Sequence, residues 1–294
     1  MLGSSPAPRR SPSGRKSSPD REPSRAMSTR FERDTAVAPL GDGAFEARLD
    51  TGWWIIAGPN GGYLAAVVLR ALDAAQGDPE RAARSLTLHY TAVPKEGPVR
   101  LETRVERTGG ALTSVSGRML QDGRLIAVAL AAFSKPRESA VALADARMPE
   151  MPPPERCAPR LETPIAIHQR YDLRWGLGEW PAPGGASHAQ SGGWIRLDEP
   201  CAVDACVLAA YADAFPPAVF SKFGREALTR GVPTIDLTVH FRETLPRASA
   251  RLDDYTLARF TTREGREGFI EEDGELWSAD GVLLAQSRQL ALAR

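Results

Sequence analysis

The first half of the chain carries one segment with helical periodicity, followed by several with strand character. Between residues 63 and 75, apolar side chains recur every three or four positions, and most of the remaining positions are apolar as well. A helix with this pattern is buried on nearly all sides. Turn residues separate the strand-like segments that follow it: residues 85–93, 99–107, 112–121 and 124–133. We therefore expect an antiparallel sheet that curls around one buried helix.

The second half of the chain repeats this plan. Short strands are expected at residues 170–175 and 192–197. A helix is predicted from about residue 202 to residue 215, where the pair Pro216-Pro217 must end it. Four longer strands follow: residues 232–243, 254–262, 268–279 and 282–292.

The sequence itself repeats as well as its pattern. Residues 86–90 read LTLHY, and residues 237–241 read LTVHF. Residues 122–127 and 280–285 both begin with Asp-Gly, a hairpin signal, and continue with mostly apolar residues. Two matches in the same order indicate that a helix-plus-sheet unit has been duplicated. We expect four regions: an N-terminal extension at residues 1–30, a first domain at 31–135, a proline-rich linker at 136–168 and a second domain at 169–294.

Residues 1–30 differ in composition from the rest of the chain. They are rich in Ser, Pro and Arg and contain no apolar stretch, so they predict neither a secretory signal nor a membrane anchor. Such a segment buries too little surface to offset its ordering entropy, and we expect it to be disordered. The composition becomes globular after Phe31, and we therefore hypothesise that Met27 is the true start of the protein.

Charge and cysteine content exclude several classes of protein. Lys plus Arg and Asp plus Glu both number 37, so the formal net charge is zero. No overall field then attracts nucleic acid or an anionic membrane, and we expect neither as a partner. The three cysteines, Cys157, Cys201 and Cys206, have no metal-ligand spacing, and such an odd, sparse set argues against a disulfide framework. We expect no metal site and a reducing, cytoplasmic location.

Three segments resemble one known family. They are the Gly-Pro-Asn-Gly-Gly-Tyr entry to the first helix at residues 58–63, the strand PTIDLTVHFR at residues 233–242, and the closing segment DGVLLAQSRQ at residues 280–289. In this order they resemble the acyl-CoA thioesterase II family and its thioesterase-like relatives, which are double hotdog proteins. The resemblance implies an α+β fold with two tandem units, in each of which a curved antiparallel sheet wraps a long helix. It also implies lipid metabolism, an acyl-CoA substrate, no cofactor and a homo-oligomer.

The resemblance also implies which residues carry the chemistry. The family uses no covalent nucleophile; an Asp, a Thr and a Gln orient and activate a water molecule. Carried over to this sequence, these roles fall on Asp213, Thr234 and Gln289, all in the second domain. The implied activity is hydrolysis of acyl-CoA thioesters to the free acid and CoA.

The neighbours of Asp213 support a special role for it. The side chains three, four and seven positions earlier are small and apolar: Ala210, Ala209 and Cys206. The carboxylate also falls near the predicted C-terminus of its helix, where the macrodipole disfavours an anion. An anion there needs hydrogen-bonding partners or a raised pKa, and both suit a general base. The alternative is that the last turn frays and Asp213 caps it or faces solvent.

Strand periodicity leaves alternatives for the other two residues. Thr234 shares a predicted strand face with Asp236, which is its possible substitute, and an ordinary threonine on a polar face would show the same pattern. In the closing strand, Gln289 and Gln286 fall on opposite faces, and the family pattern favours Gln289. Its amide could donate to the thioester carbonyl oxygen or accept from the attacking water. Gln286 is the fallback, and a surface glutamine is the alternative.

Residues near the start of the first helix are candidates for binding the substrate. Gly61 and Gly62 leave backbone N–H groups open at a helix N-terminus, which readily binds an anion or a polarised carbonyl oxygen. Trp54 and Tyr63, with Trp53, are candidates for lining an apolar slot that holds the acyl chain. Close packing would explain the glycines as well, and core packing is the commoner use of the aromatic residues.

Two other classes of function stay open. The first alternative is a non-catalytic acyl-CoA or acyl-carrier binding module of the same fold. A hydratase or dehydratase comes third, because that chemistry wants a histidine near the helix start, where Asn60 stands. Serine hydrolase, zinc protease and P-loop motifs do not occur in the sequence. In the first unit Val68 or its neighbours and Ala131 stand in place of Asp213 and Gln289, so we expect one active site per chain.

Overall fold

The computed structural model describes Met1, Gly3 and residues 28–293, apart from 57, 139, 142, 160–162, 179–181 and 229–230. Most of the predicted disordered extension, with the proposed start at Met27, lies outside the described residues. Among the residues that are described, no helix is long and apolar enough to cross a membrane.

The α-helices of the described chain are α1 (Arg30–Asp34), α2 (Gly61–Gln76), α3 (Ala205–Tyr211) and α4 (Val219–Phe223). Helix α2 confirms the buried helix predicted for the first half. Its N-cap is Asn60, whose side chain accepts a hydrogen bond from Tyr63 N at 3.1 Å. It ends before Gly77, which has a φ of 70°.

Helix α3 lies where the second helix is predicted, but it is shorter. It ends at Tyr211, and a turn follows in which Asp213 N donates to Ala210 O and Ala214 N donates to Tyr211 O. The proline pair at 216–217 requires an end no later than residue 215. The earlier end places Asp213 in the turn, two residues beyond the helix, where it reaches the first half of the molecule.

The strands have the following bounds: β1 (Ala38–Gly41), β2 (Ala44–Leu49), β3 (Ala82–Tyr90), β4 (Gly97–Thr108), β5 (Thr113–Gln121), β6 (Arg124–Ser134), β7 (Ala158–Pro159), β8 (Tyr171–Leu177), β9 (Ala189–Leu197), β10 (Thr234–Phe241), β11 (Thr256–Thr262), β12 (Gly265–Arg266), β13 (Phe269–Ser278) and β14 (Leu283–Leu292). All ten predicted strands are confirmed in kind and place. The β1–β2 hairpin and the short strands β7 and β12 are additional, and β7 falls within the predicted linker.

These strands form one antiparallel sheet. From edge to edge the order is β1-β2-β4-β5-β6-β3-β10-β14-β13-β11-β9-β8-β7, with β12 beside β13. The two halves of the chain meet where β3 pairs with β10. Thr87 lies opposite its repeat equivalent Thr238, and their hydroxyl oxygens are 3.0 Å apart. The pairs on either side are related by the repeat: Leu86 lies opposite Val239, the equivalent of Leu88, and Leu88 lies opposite Leu237, the equivalent of Leu86. The join is therefore symmetric about the Thr87–Thr238 pair.

Aromatic side chains in the core link the two halves. Trp53 stacks on Tyr63 of α2, with ring centroids 5.2 Å apart, and meets Tyr171 of β8 edge to face at 5.8 Å. Tyr171 in turn meets Tyr211 at the end of α3, also at 5.8 Å. All four rings are almost completely buried. This packing holds the start of α2 and the end of α3 together, and the candidate site forms where these two ends meet.

Candidate active site

Asp213 from the second half lies at the N-terminus of α2 from the first half. Its Oδ2 accepts hydrogen bonds from Asn60 Nδ2 at 2.9 Å and from Gly62 N at 3.1 Å. Asn60 Nδ2 also donates to the backbone oxygen of Asp213 at 2.6 Å. The predicted need for hydrogen-bonding partners is met by the N-terminus of α2, because the positive end of this 16-residue helix stabilises the anion.

Glycine at positions 61 and 62 permits this approach. A Cβ on Gly62 would lie 2.5 Å from Ala210 O of α3, and a Cβ on Gly61 would lie 2.9 Å from Asp213 Oδ2. Larger residues would therefore push the two helix ends apart. The close packing is between two helices, and the N–H of Gly62 is directed at Asp213. Binding of substrate by Gly61 and Gly62 stays a prediction.

Thr234 faces the interior because β10 contains a bulge. Simple alternation puts Thr234 on the outer face with Asp236, but the pairing with β14 shifts by one residue between these two positions. Thr234 consequently lies opposite Ala291, which is buried, whereas Asp236 lies opposite Leu290. The predicted shared face is wrong for this reason.

Gln289 lies on the inner face of β14 and joins the site residues. Its Oε1 accepts a hydrogen bond from Thr234 Oγ1 at 2.9 Å, and its amide is close enough to Asp213 to lower the pKa of that carboxyl. Only 7% of Gln289 is exposed. Gln286 lies on the other face, where it accepts from Arg242 Nε at 2.8 Å. The three residues implied by the resemblance therefore meet in one hydrogen-bonded group.

Sequence reasoning missed two members of this group, Asn60 and Glu272. Glu272 on β13 accepts from Gln289 Nε2 at 2.8 Å, and 5% of it is exposed. Its strand position carries a usable signal, because Glu272 alternates with the buried Ile270 and Leu276. Asn60 carries the N-cap signature before the glycine pair, but its second contact, to Asp213, depends on the tertiary fold.

Burial sets the proton affinity of Asp213. Desolvation raises its pKa to about 6, although hydrogen bonds from the Gly62 and Gly61 backbone, Gln289 and Asn60 lower it. Asp213 is therefore a stronger base than an exposed aspartate and is mostly ionised at neutral pH.

Glu272 is shifted in the same direction. Its pKa is raised to about 7, because desolvation and the negative charge of Asp213 together outweigh the hydrogen bonds from Ala218 N and Gln289, which lower it. The site thus contains two buried carboxylates that share one amide partner.

The aromatic candidates occupy different environments. Tyr63 is fully buried, and its hydroxyl donates to the backbone oxygen of Asp34 at 2.7 Å, which favours core packing. Trp53 is also buried and donates from Nε1 to Asp34 Oδ2 at 2.8 Å. Trp54 is partly buried and forms an isolated bridge with Pro59, just before the start of α2. A substrate contact for Trp54 stays a prediction.

The equivalent place in the first half is apolar. Starting from Leu237, the sheet register leads across β14 and β13 to Gln289 and Glu272. The same steps from the repeat equivalent of Leu237 lead to Ala131 and Val115, which are both buried. The described residues also contain no group of acidic, His or Cys side chains arranged to hold a metal ion.

Comparison with known proteins gives the family. A family model described as the acyl-CoA thioesterase C-terminal domain matches residues 144–293, about half of the chain, and one described as the N-terminal domain matches residues 50–134. No curated protein sequence matches the chain significantly.

Solved structures are similar over nearly the whole chain. A hotdog-fold protein of unknown function from Alicyclobacillus acidocaldarius is 28% identical, with a TM-score of 0.80, and the match covers 91% of this chain and 99% of that one. A proposed thioesterase II from Thermobifida fusca YX is also 28% identical, with a TM-score of 0.76 and coverage of 91% and 98%. An acyl-CoA thioesterase II from Mycobacterium marinum is 21% identical, with a TM-score of 0.71 and coverage of 90% and 98%. At this identity the similarity is one of fold only. The chain therefore belongs to the acyl-CoA thioesterase family and is a thioesterase enzyme of the hotdog fold.

Proposed function

We propose that this protein hydrolyses acyl-CoA thioesters to the free acid and CoA, with a water molecule held by Asp213, Thr234 and Gln289. The observation that carries this proposal is the connected group itself. A carboxylate from one half is buried against the helix N-terminus of the other half, and Gln289 links it to Thr234. Family membership supports the reaction class.

Asp213 is the general base. With a pKa of about 6 it is ionised at neutral pH and accepts a proton from water as the water oxygen attacks the thioester carbonyl carbon. The tetrahedral intermediate then collapses, the carbon–sulfur bond breaks, and the proton passes to the departing CoA sulfur. General-base assistance contributes about a hundredfold to ten-thousandfold in rate.

Thr234 and Gln289 orient the water. The hydroxyl of Thr234 donates to Gln289 Oε1, which leaves the lone pairs of the hydroxyl oxygen available to accept a hydrogen bond. One proton of the water points at Asp213, and its second proton is accepted either by the Thr234 hydroxyl oxygen or by the second lone pair of Gln289 Oε1. Of the two roles open to the Gln289 amide, this contact favours acceptance from water.

The thioester carbonyl lies near the N-terminal end of α2, with Gly61, Gly62 and Trp54 as the substrate-binding residues. The fully buried Tyr63 supports them from the core and does not contact the substrate. The positive end of the helix dipole there stabilises the oxyanion that develops during attack. The acyl chain extends into an apolar slot beside the helix.

Each half of the chain is one hotdog unit, so that the fold is a double hotdog with one active site. The symmetric pairing of β3 with β10 supports this division. The cysteines at 157, 201 and 206 are free thiols, which suits a reducing, cytoplasmic compartment.

The test is release of free thiol from a panel of acyl-CoAs of different chain lengths. We expect catalytic turnover for at least one chain length. Tight binding of acyl-CoA without turnover at any length would contradict hydrolysis and indicate the non-catalytic binding module instead.

A further inference from the structure

Glu272 is a buried acidic residue to which the proposed mechanism gives no role. It lies on β13 directly opposite Gln289 on β14. Both of its oxygens are engaged: Oε1 accepts from Gln289 Nε2 at 2.8 Å, and Oε2 accepts from Ala218 N at 2.5 Å. Burial of a carboxylate costs free energy even with such partners, so we expect Glu272 to have a specific role in this core.

The contacts of Glu272 determine which way the Gln289 amide points. Above its pKa of about 7, Glu272 is a carboxylate that accepts hydrogen bonds and donates none, so the amide group of Gln289 that faces it is the nitrogen. The amide oxygen then faces Thr234, whose hydroxyl donates to it at 2.9 Å. The second proton on the nitrogen is then available to Asp213, whose pKa Gln289 lowers. A reversed amide would direct its oxygen at two carboxylates.

We propose that Glu272 is a positioning residue that holds the Gln289 amide in the one orientation that joins Asp213 and Thr234 in a single hydrogen-bonded network. This inference rests on the proposed hydrolysis at the same site. Glu272 acts through Gln289 and makes no contact with the substrate. Its bond to Ala218 N also ties β13 to the segment that follows Asp213.

Glu272→Gln tests this role with the smallest change in shape. The backbone N–H of Ala218 can only donate, so it hydrogen-bonds the amide oxygen of the substituted side chain. The amide nitrogen then faces Gln289, which must turn its own oxygen towards residue 272 and its nitrogen towards Thr234. We expect kcat to fall about tenfold to a hundredfold, as for a displaced catalytic group, with little change in KM.

A double-mutant cycle distinguishes positioning from a general structural effect. In a Gln289→Ala background no amide is left to orient, so Glu272→Gln should lower kcat no further. Additive effects of the two substitutions would contradict the proposal. The matched control is Glu271→Gln, which removes the same charge from the neighbouring position, where the carboxylate accepts from Arg263 N at 2.8 Å. Its kcat should stay close to that of the wild type.

A second readout does not depend on turnover. In ¹H–¹⁵N spectra of the full chain, the side-chain amide pair of Gln289 is identified by its loss in Gln289→Ala. We expect its protons to exchange slowly with water. Glu272→Gln should shift this pair and speed its exchange, whereas Glu271→Gln should leave it unchanged.

The two readouts separate the two proposals. A wild type that hydrolyses no acyl-CoA, with an amide pair that responds to Glu272→Gln, would overturn the hydrolysis and leave the positioning contact intact. A wild type that turns over substrate, with kcat and amide signals both indifferent to Glu272→Gln, would overturn the positioning role alone.

Discussion

Two opposing effects set the protonation of Asp213. Burial favours the neutral acid, whereas the N–H groups at the start of α2 and the amides of Asn60 and Gln289 favour the anion. The resulting pKa of about 6 leaves the side chain ionised at neutral pH. A carboxylate with this pKa is a better base than an exposed one, and a base is what attack by water requires.

Activity should therefore fall on the acid side of neutrality. Protonated Asp213 cannot accept a proton from water, so kcat/KM should be level above about pH 7 and fall about tenfold per pH unit well below the Asp213 pKa of about 6. The measurement is a pH profile of kcat/KM over the range in which the fold is stable. An inflection near pH 4, where an ordinary aspartate titrates, would contradict the effect of burial.

Glu272 should make the stability of the protein depend on pH. Its pKa is raised from 4.5 to about 7 in the folded state, so folding is favoured below the unfolded value, and this contribution is lost as pH rises through about 7. The shift corresponds to about 3 kcal/mol. Urea unfolding of wild type and Glu272→Gln at pH 4.5 and pH 8 measures it. The wild type should lose more stability over this interval than the variant, and equal losses would contradict the buried titration.

At the scale of elements, the site depends on how closely α2 and α3 approach. Gly62 contacts the backbone of α3 so closely that a Cβ would lie 2.5 Å from Ala210 O. A Cβ and a backbone oxygen have no rotatable bond that could move one away from the other. The helices must separate instead, and the bond from Gly62 N to Asp213 lengthens with them.

Gly62→Ala should accordingly lower both stability and activity. We expect a loss of about 1–3 kcal/mol in unfolding free energy, typical of an overpacked core, together with a lower kcat. The control is Gly110→Ala, because a Cβ on Gly110 meets no atom within 4 Å. The measurements are thermal or urea unfolding and thiol release. A Gly62→Ala variant as stable and active as Gly110→Ala would contradict the close helix contact.

Periodicity predicted the elements well but not their local irregularities. Helical and strand patterns are properties of neighbouring residues, so α2 and the ten main strands could be predicted from the sequence alone. The bulge that turns Thr234 inward depends on the register between β10 and β14. The turn that follows the early end of α3 brings Asp213 to Asn60 of the first half, 153 residues away. Neither feature leaves a signal in local periodicity.

At the scale of the whole molecule, the site needs both halves of the chain. Asn60 and Gly62 come from the first half, whereas Asp213, Gln289 and Glu272 come from the second. The resemblance pointed to the catalytic group in the second half alone. The contacts of Asn60 and Gly62 with Asp213 could not be predicted, because contacts between residues about 150 positions apart are set by the fold.

One chain should bind one substrate. The symmetric position in the first half carries Ala131 and Val115, which offer no polar group to a water molecule or a thioester. Calorimetric titration with a hydrolysis-resistant acyl-CoA analogue should therefore give one site per chain. Two equivalent sites per chain would contradict the expectation of one active site per chain.

The most direct test of the central claim compares Asp213→Asn with the control Asp236→Asn, a carboxylate on the opposite face of the sheet. Asp213→Asn removes the base while nearly preserving shape, and it removes a buried charge, so the variant should fold. We expect its kcat for acyl-CoA hydrolysis to fall about a hundredfold to ten-thousandfold, with Asp236→Asn close to wild type. An Asp213→Asn enzyme that is folded and turns over substrate at the wild-type rate would contradict the assignment of Asp213 as the base.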